Sequence, residues 1–257
     1  PLVAPLTGAQ LIRNPANPLV FNIRASYHQE IEAIVSYLHR YGRRSIAVVY
    51  QNDAYGRDGL AGAQKALAGL RLRPVALATV QRNSTDIREA ARRIALARPD
   101  AVLIVSSYGT VASFIPHLRR EGREALVMNV SFVGSNALAR TLPPAYRHGV
   151  GISQVVPFPW NPRVPVVRDY QNTIRRNHSG ASFGFSSLEG YIAATMLVRA
   201  LEAAGPDLTR QRFLSALDGI GSVDLGGFPV AFSPSRRQGS DFVELTFLVC
   251  RDGAFIH

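Results

Sequence analysis

Short apolar runs alternate with helix-period segments through residues 27–156, and no other feature constrains the fold as strongly. Ser45-Ile46-Ala47-Val48-Val49-Tyr50 is an apolar β-run. It leads through Gln51-Asn52-Asp53-Ala54-Tyr55-Gly56 into a glycine-flanked helix over 57–69. The change of period recurs: strand 75–80 then helix 84–97, strand 101–105 then helix 110–121, strand 126–130 then a short helix near 135–140, and strand 149–156. Asn83-Ser84-Thr85-Asp86 reads as a capping cluster for helix 84–97. Ahead of these units, residues 27–41 form an amphipathic helix, with Ile31, Ile34, Val35 and Leu38 at three-to-four spacing and Gly42 as its C-cap. Such alternation implies an α/β fold with a parallel, doubly wound sheet.

Tyr55 and Tyr108 each stand just past the carboxyl end of an expected strand. Ligands of open parallel sheets bind at that end. Two aromatic walls at two strand ends therefore imply a small-molecule cleft.

The pattern breaks at Pro157-Phe158-Pro159-Trp160-Asn161-Pro162. Helices are expected at 163–177, 186–204 and 209–218, then strands at 223–225, 230–232 and 242–250, with a turn at Asp252-Gly253. The first residues read as strand 2–4, a turn at Thr7-Gly8, a short helix, a loop with two prolines and strand 20–23. Residues 24–155 thus make a nearly self-contained α/β unit. Residues 1–22 and 157–240 carry too little sheet for their helices, as a second lobe lacking its N-terminal units would. At ~30 or more residues per βαβ unit, two or three missing units amount to roughly 100 residues. Pro1 opening directly on a strand fits a chain that starts within a domain.

Composition narrows the class. The 257 residues suffice for one large or two medium domains, and no apolar run reaches the roughly 18 residues of a membrane span. Cys250 is the single cysteine, so an intramolecular disulfide is excluded; the cytoplasm and a disulfide-free periplasmic protein both remain compatible. The net charge is +11, and Lys65 is the only lysine. Arginines such as Arg88, Arg92, Arg93, Arg119, Arg120, Arg123, Arg175 and Arg176 spread over helix faces, without a helix-turn-helix, zinc spacing or aromatic-interleaved basic stripe. The balance reads as a solvated basic surface, and nucleic acid is not an expected partner. An anionic membrane surface or an acidic partner stays compatible with it. The six histidines lack paired metal spacing, and no Walker or Gly-x-Gly-x-x-Gly motif is present, so neither metal nor cofactor is expected.

Pro5-Leu6-Thr7-Gly8-Ala9, Phe21-Asn22-Ile23-Arg24-Ala25-Ser26-Tyr27, Asp53-Ala54-Tyr55-Gly56, Ser131-Phe132-Val133-Gly134, Val155-Val156-Pro157 and Phe232-Ser233-Pro234 occur in that order. Together, over essentially the whole chain, they resemble the substrate-binding proteins of branched-chain amino-acid type ABC transporters, the leucine/isoleucine/valine-binding family of the type I periplasmic binding fold. The resemblance implies two doubly wound lobes joined by three crossovers, with the first lobe incomplete at its N-terminus. Lobe I would hold 1–22 and 157–240, lobe II 24–155 and 241–257, with crossovers near 23–26, 153–160 and 238–241. It further implies ligand capture in an interlobe cleft, hinge closure read by a transporter permease, and a periplasmic or other extracytoplasmic location reached through a signal peptide upstream. The membrane would be met only through the transporter.

Thr7-Gly8, between a strand end and a helix start, reads either as an anion site built from backbone N–H groups and a hydroxyl or as an N-cap. The resemblance favours a ligand role, with the Pro5 carbonyl and Gly8 amide beside it. Tyr55 and Tyr108 read as ligand contacts or as strand-end tyrosines with their hydroxyls in water; matching family positions contact ligand. Ser107 neighbours Tyr108. Ser131-Phe132 departs from the family pattern, which commonly places a carboxylate there to pair with the ligand ammonium. A buried ammonium without a counter-charge is costly, so either another acid replaces it or the ligand has no ammonium. Glu189, near the start of helix 186–204, is the candidate acid; its plainer role is to complement the helix dipole. Phe158 and Trp160 read as hinge lining or as local packing.

The expected function is a solute-binding protein that captures a small polar ligand, an amino acid or related carboxylate or amide, for ABC-transporter uptake. A sensor of the same fold is the alternative. An α/β enzyme is disfavoured because Thr, Tyr, Tyr and Ser at the strand ends suit hydrogen bonding more than titration.

Overall fold

The computed structural model describes residues 1–13, 17–122, 124–178, 180–250 and 253–257. Pro15 of the two-proline loop, Arg123 and Asp252 of the expected turn lie outside the described residues. By its internal contacts the chain divides into Pro1–Ser26 with Val155–Phe242, and Tyr27–Gln154 with Val243–His257. These are called the first and second units.

In the second unit, β3 (Ile46–Gln51), β4 (Leu77–Val80), β5 (Ala101–Val105), β6 (Leu126–Asn129) and β7 (Val150–Gln154) are parallel, in the order β4-β3-β5-β6-β7. The chain enters the sheet one strand in from an edge, adds β4 as that edge and then builds outward on the other side. The carboxyl ends of β3 and β5 therefore flank the point where the strand order reverses. β10 (Glu244–Leu248) and β11 (Phe255–Ile256) extend the β7 edge as antiparallel strands.

The strands form where the apolar runs are. Ile46 to Val49 of β3 and all of β5 are buried, as strands covered by helices on both faces must be. α1 (Tyr27–Arg40) packs on α2 (Ala54–Gly69), while α3 (Arg88–Leu96), α4 (Tyr108–Arg120) and α5 (Ser135–Thr141) pack in series. Ile31, Ile34, Val35 and Leu38 make the buried stripe of α1, and Gly42 follows with φ 74°.

Two local expectations are corrected. Residues 83–86 do not cap α3: Asn83 is left-handed at φ 56°, Ser84 accepts the Asp86 N–H at 3.0 Å, and α3 starts at Arg88 behind Ile87. α2 starts at Ala54 rather than 57, because Asp53 accepts the Gly56 N–H at 3.0 Å and caps the helix there.

The first unit contains a parallel pair, β1 (Leu2–Val3) with β2 (Val20–Phe21), and an antiparallel pair, β8 (Gly221–Asp224) with β9 (Pro229–Phe232). The short helix after Thr7-Gly8 is a 3-10 turn, Gln10–Arg13. α6 (Pro165–Asn177), α7 (Phe185–Ala204) and α8 (Arg210–Gly219) supply the rest. Its core includes Phe21, packed edge-on to Phe232 at 5.3 Å with the Arg237 guanidinium 4.3 Å over its ring. Tyr170 is buried and accepts the Gly184 N–H at 3.0 Å, which anchors the start of α7. The segment after β2 pairs with residues 237–239: Asn22 N–H donates to the Arg237 carbonyl at 2.9 Å and Gly239 N–H to the Asn22 carbonyl at 2.7 Å.

Candidate functional site

At the carboxyl edge of the second unit, β3 ends at Gln51 and the chain turns into α2. Gly56 sits so close to this turn that a Cβ there would lie 1.8 Å from the Gln51 carbonyl oxygen. Partial burial tends to raise the Asp53 carboxyl. The N–H of Gly56, the Gln51 amide and the Arg82 charge outweigh that and hold it below the usual carboxylate range.

This capped turn presents Tyr55 in the first turn of α2. The Tyr55 ring meets the Phe132 ring at 5.0 Å and the Tyr27 ring at 5.1 Å, and Tyr27 meets Phe132 at 6.0 Å. Three rings from α1, α2 and the turn after β6 thus form one cluster. Each edge-to-face or tilted pair contributes about 0.5–1.5 kcal/mol beyond area burial. Tyr27 is buried, Tyr55 half-buried and Phe132 42% exposed, so the cluster is closed below and open above.

Tyr108, the first residue of α4, is 45% exposed. A Cβ on Gly134, whose φ is 83°, would lie 3.7 Å from the Tyr108 ring, so Tyr108 leans over the turn after β6. Ser107 is the N-cap residue of α4 but makes no side-chain cap; its hydroxyl donates to Asn83 Oδ1 at 3.5 Å. The structure thus brings Tyr55, Tyr108, Ser131 and Phe132 to the ends of β3, β5 and β6, while Ser107 engages the loop after β4.

Sequence reasoning passed over Glu30. Its carboxylate is buried and accepts the Ser131 N–H at 2.7 Å and the Ser153 hydroxyl at 2.6 Å on the same oxygen. A carboxylate therefore does stand at the end of β6, supplied by α1 from beneath rather than by residue 131. The signal was present: Glu30 shares the buried stripe of α1 with Tyr27, Ile31 and Ile34, where an acid is out of place unless bonded. Beside it, the Gln154 amide donates to Ser135 Oγ at 3.0 Å and Thr246 Oγ1 at 2.9 Å, tying β7 to α5 and β10.

In the first unit, the Thr7 N–H donates to the Pro5 carbonyl at 2.8 Å and the Thr7 hydroxyl accepts the Ala9 N–H at 3.2 Å. These bonds make a local turn ahead of the 3-10 helix that starts at Gln10, and Gly8 is buried beside Thr7. Arg13 donates to the carbonyls of Arg24 at 2.9 Å and Ala25 at 3.2 Å and to Gln238 Oε1, so it binds the residues after β2 to residue 238. Glu189, in the second turn of α7, pairs with Arg24 at 3.2 Å, a partner that sequence reasoning did not assign to it. Pro5 and Glu189 line one cavity of about 170 Å³. Phe158, Trp160 and Phe185 pack together at 5.1–6.1 Å, the local-packing role.

A family described as periplasmic binding protein matches residues 1–246. Among solved structures, a possible leucine/isoleucine/valine-binding protein from Rhodopirellula baltica SH 1 superposes with a TM-score of 0.92 at 28% identity, over 99% of this chain and 70% of that one. A substrate-binding periplasmic protein from Ralstonia solanacearum gives 0.89 at 30% identity, over 100% and 72%. A branched chain amino acid ABC transporter protein from Thermus thermophilus with bound valine gives 0.83 over 99% and 70%; at 19% identity it speaks for the fold alone. No curated protein sequence matches the chain.

Proposed function

Because the chain belongs to the periplasmic binding protein family, we propose that it is an extracytoplasmic solute-binding protein that delivers a small polar ligand, an amino acid or a related carboxylate or amide, to an ABC-transporter permease. The type I periplasmic binding fold carries many ligands, so the site has to carry the argument. The observation that carries it is the ring cluster of Tyr27, Tyr55 and Phe132, with Tyr108 beside it, at the strand ends where the order of the sheet reverses. Rings open on one side offer a ligand an apolar face. Ser131 and the hydroxyl of the exposed Tyr108 would offer hydrogen bonds around it. In the first unit, Pro5, Thr7 and Gly8 would contribute the polar contacts that the resemblance assigns to that lobe, with Glu189 as the candidate acid beside them. No bond is made or broken; the protein binds, and its role is set by the difference in ligand affinity between its conformations.

Two observations bear on the ligand. Ser131 lacks the carboxylate that would hold an ammonium, the Glu30 carboxylate behind it being buried on the Ser131 N–H and the Ser153 hydroxyl, and the Glu189 carboxylate is already engaged by Arg24. Both favour carboxylates and amides over simple amino acids. A thermal-shift screen against amino acids, amides, and aromatic and aliphatic carboxylates tests the function. A ligand at about 100 times its Kd adds about 2.7 kcal/mol, a rise of roughly 5–10 °C for a chain of this size. A shift with any of these classes supports solute binding, and the responding class names the ligand. A folded protein that responds to none of them removes the function.

A further inference from the structure

Building on the solute-binding function, we infer that the cavity between the ends of β1 and β2 and the start of α7 is a subsite for a primary carboxamide of the ligand, held by Arg24 and Glu189. The cavity is lined by Ala4, Pro5, Leu6, Arg24, Ser186 and Glu189, among others. β1 and β2 run parallel and both end here, with Ala4, Pro5 and Leu6 following one strand and Arg24 the other. Ser186 and Glu189 come from the first two turns of the 20-residue α7. The carboxyl edge of parallel strands and the amino end of a long helix thus converge on one cavity whose walls are otherwise small or apolar.

Size decides that this is a subsite. Pockets that enclose a whole small molecule span roughly 300–1,000 Å³, and this one offers about 170 Å³, the room of one polar end group. Charge decides the class. The Arg24 side chain is 3% exposed and that of Glu189 is 17% exposed, and they pair at 3.2 Å. Their charges cancel. A lone carboxylate would gain Arg24 and be opposed by Glu189; a lone ammonium would meet the reverse. Splitting a buried pair to satisfy either one leaves an uncompensated charge. A primary carboxamide suits both members at once. Its carbonyl accepts from the guanidinium, which has five N–H donors, and its NH₂ donates to the carboxylate, whose two oxygens can each accept more than one hydrogen bond. It brings no net charge into the cavity.

The test is isothermal titration calorimetry with four acids of one chain length: pentanoate, pentanedioate, 4-carbamoylbutanoate and 5-aminopentanoate, which end in methyl, carboxylate, carboxamide and ammonium. Wild-type protein is expected to bind 4-carbamoylbutanoate tightest, by roughly tenfold or more over pentanoate, the worth of one hydrogen bond to a charged group. Glu189→Gln leaves Arg24 as the net charge of the cavity, so the preference is expected to pass to pentanedioate. A variant that only loosened the fold would weaken all four acids together and leave their order unchanged. Equal binding of pentanoate and 4-carbamoylbutanoate by wild type removes the subsite and leaves solute binding standing. So does an unchanged order in Glu189→Gln. If none of the four binds while the broad screen finds another ligand, the subsite is likewise overturned. Wild-type rank order needs no substitution, so the proposal stands or falls even if the variant does not fold.

Discussion

Glu30 and Asp53 each place a carboxylate where backbone must be held. Removing the Glu30 side chain deprives the Ser131 N–H and Ser153 hydroxyl of this acceptor. A buried donor left unpaired costs about 1–3 kcal/mol. Glu30→Ala is therefore expected to lower the melting temperature by several degrees in scanning calorimetry, with Glu30→Gln, which keeps one acceptor oxygen, losing less. A Glu30→Ala protein as stable as wild type would deny this role. For Asp53 the sign follows from its lowered pKa. A group that ionises more easily folded than unfolded adds stability above its unfolded pKa and loses it as pH falls through the folded value. Asparagine is an equally good N-cap without a charge. Asp53→Asn should thus keep most of the neutral-pH stability and flatten the acid side of the melting profile, whereas Asp53→Ala should cost about 1 kcal/mol at neutral pH. Melting temperatures measured from pH 7 down to pH 2 separate the two variants.

At the scale of elements, periodicity read well where burial is the cause. β5 occupies the residues expected of it, 101–105, because its side chains are all apolar and all buried. Edges read less well, because they are set by single bonds. α2 gained its first turn from the Asp53 cap, while Asn83-Ser84-Thr85-Asp86 bonded within itself and left α3 to begin later. The α2 start gives the sharpest element-level prediction. Gly56→Ala would drive a methyl carbon into the Gln51 carbonyl, so the first turn must shift and carry Tyr55 with it. Overpacking of this kind costs typically about 1–3 kcal/mol. The variant should melt lower and also bind ligand more weakly. Unchanged affinity would mean that Tyr55 is not held in place by this turn.

For the whole molecule, the two units differ in how well their sheets are covered. β3 and β5 are buried by helices, whereas the first unit shows a parallel pair of two-residue strands beside exposed Leu2, Leu11 and Leu19. Two-residue strands such as these, β2 buried but β1 open at Leu2, can open locally at low free energy. Limited proteolysis of the 257-residue chain should therefore cut within Pro1–Ser26 or Val155–Phe242 before Tyr27–Gln154; equal resistance would refute the difference. The alternation of apolar runs and helix-period segments determined by itself that the chain is α/β with a parallel sheet, since only buried strands and amphipathic helices satisfy that pattern. It also put Tyr55, Tyr108, Ser131 and Phe132 at strand ends, because those residues follow the runs directly. Only the tertiary structure decided that Tyr27 completes the ring cluster, that Glu30 reaches the end of β6 and that Glu189 is matched by Arg24. Those partners are up to 165 residues apart, and sequence periodicity reports which face of an element is buried, not which residue of another element meets it there.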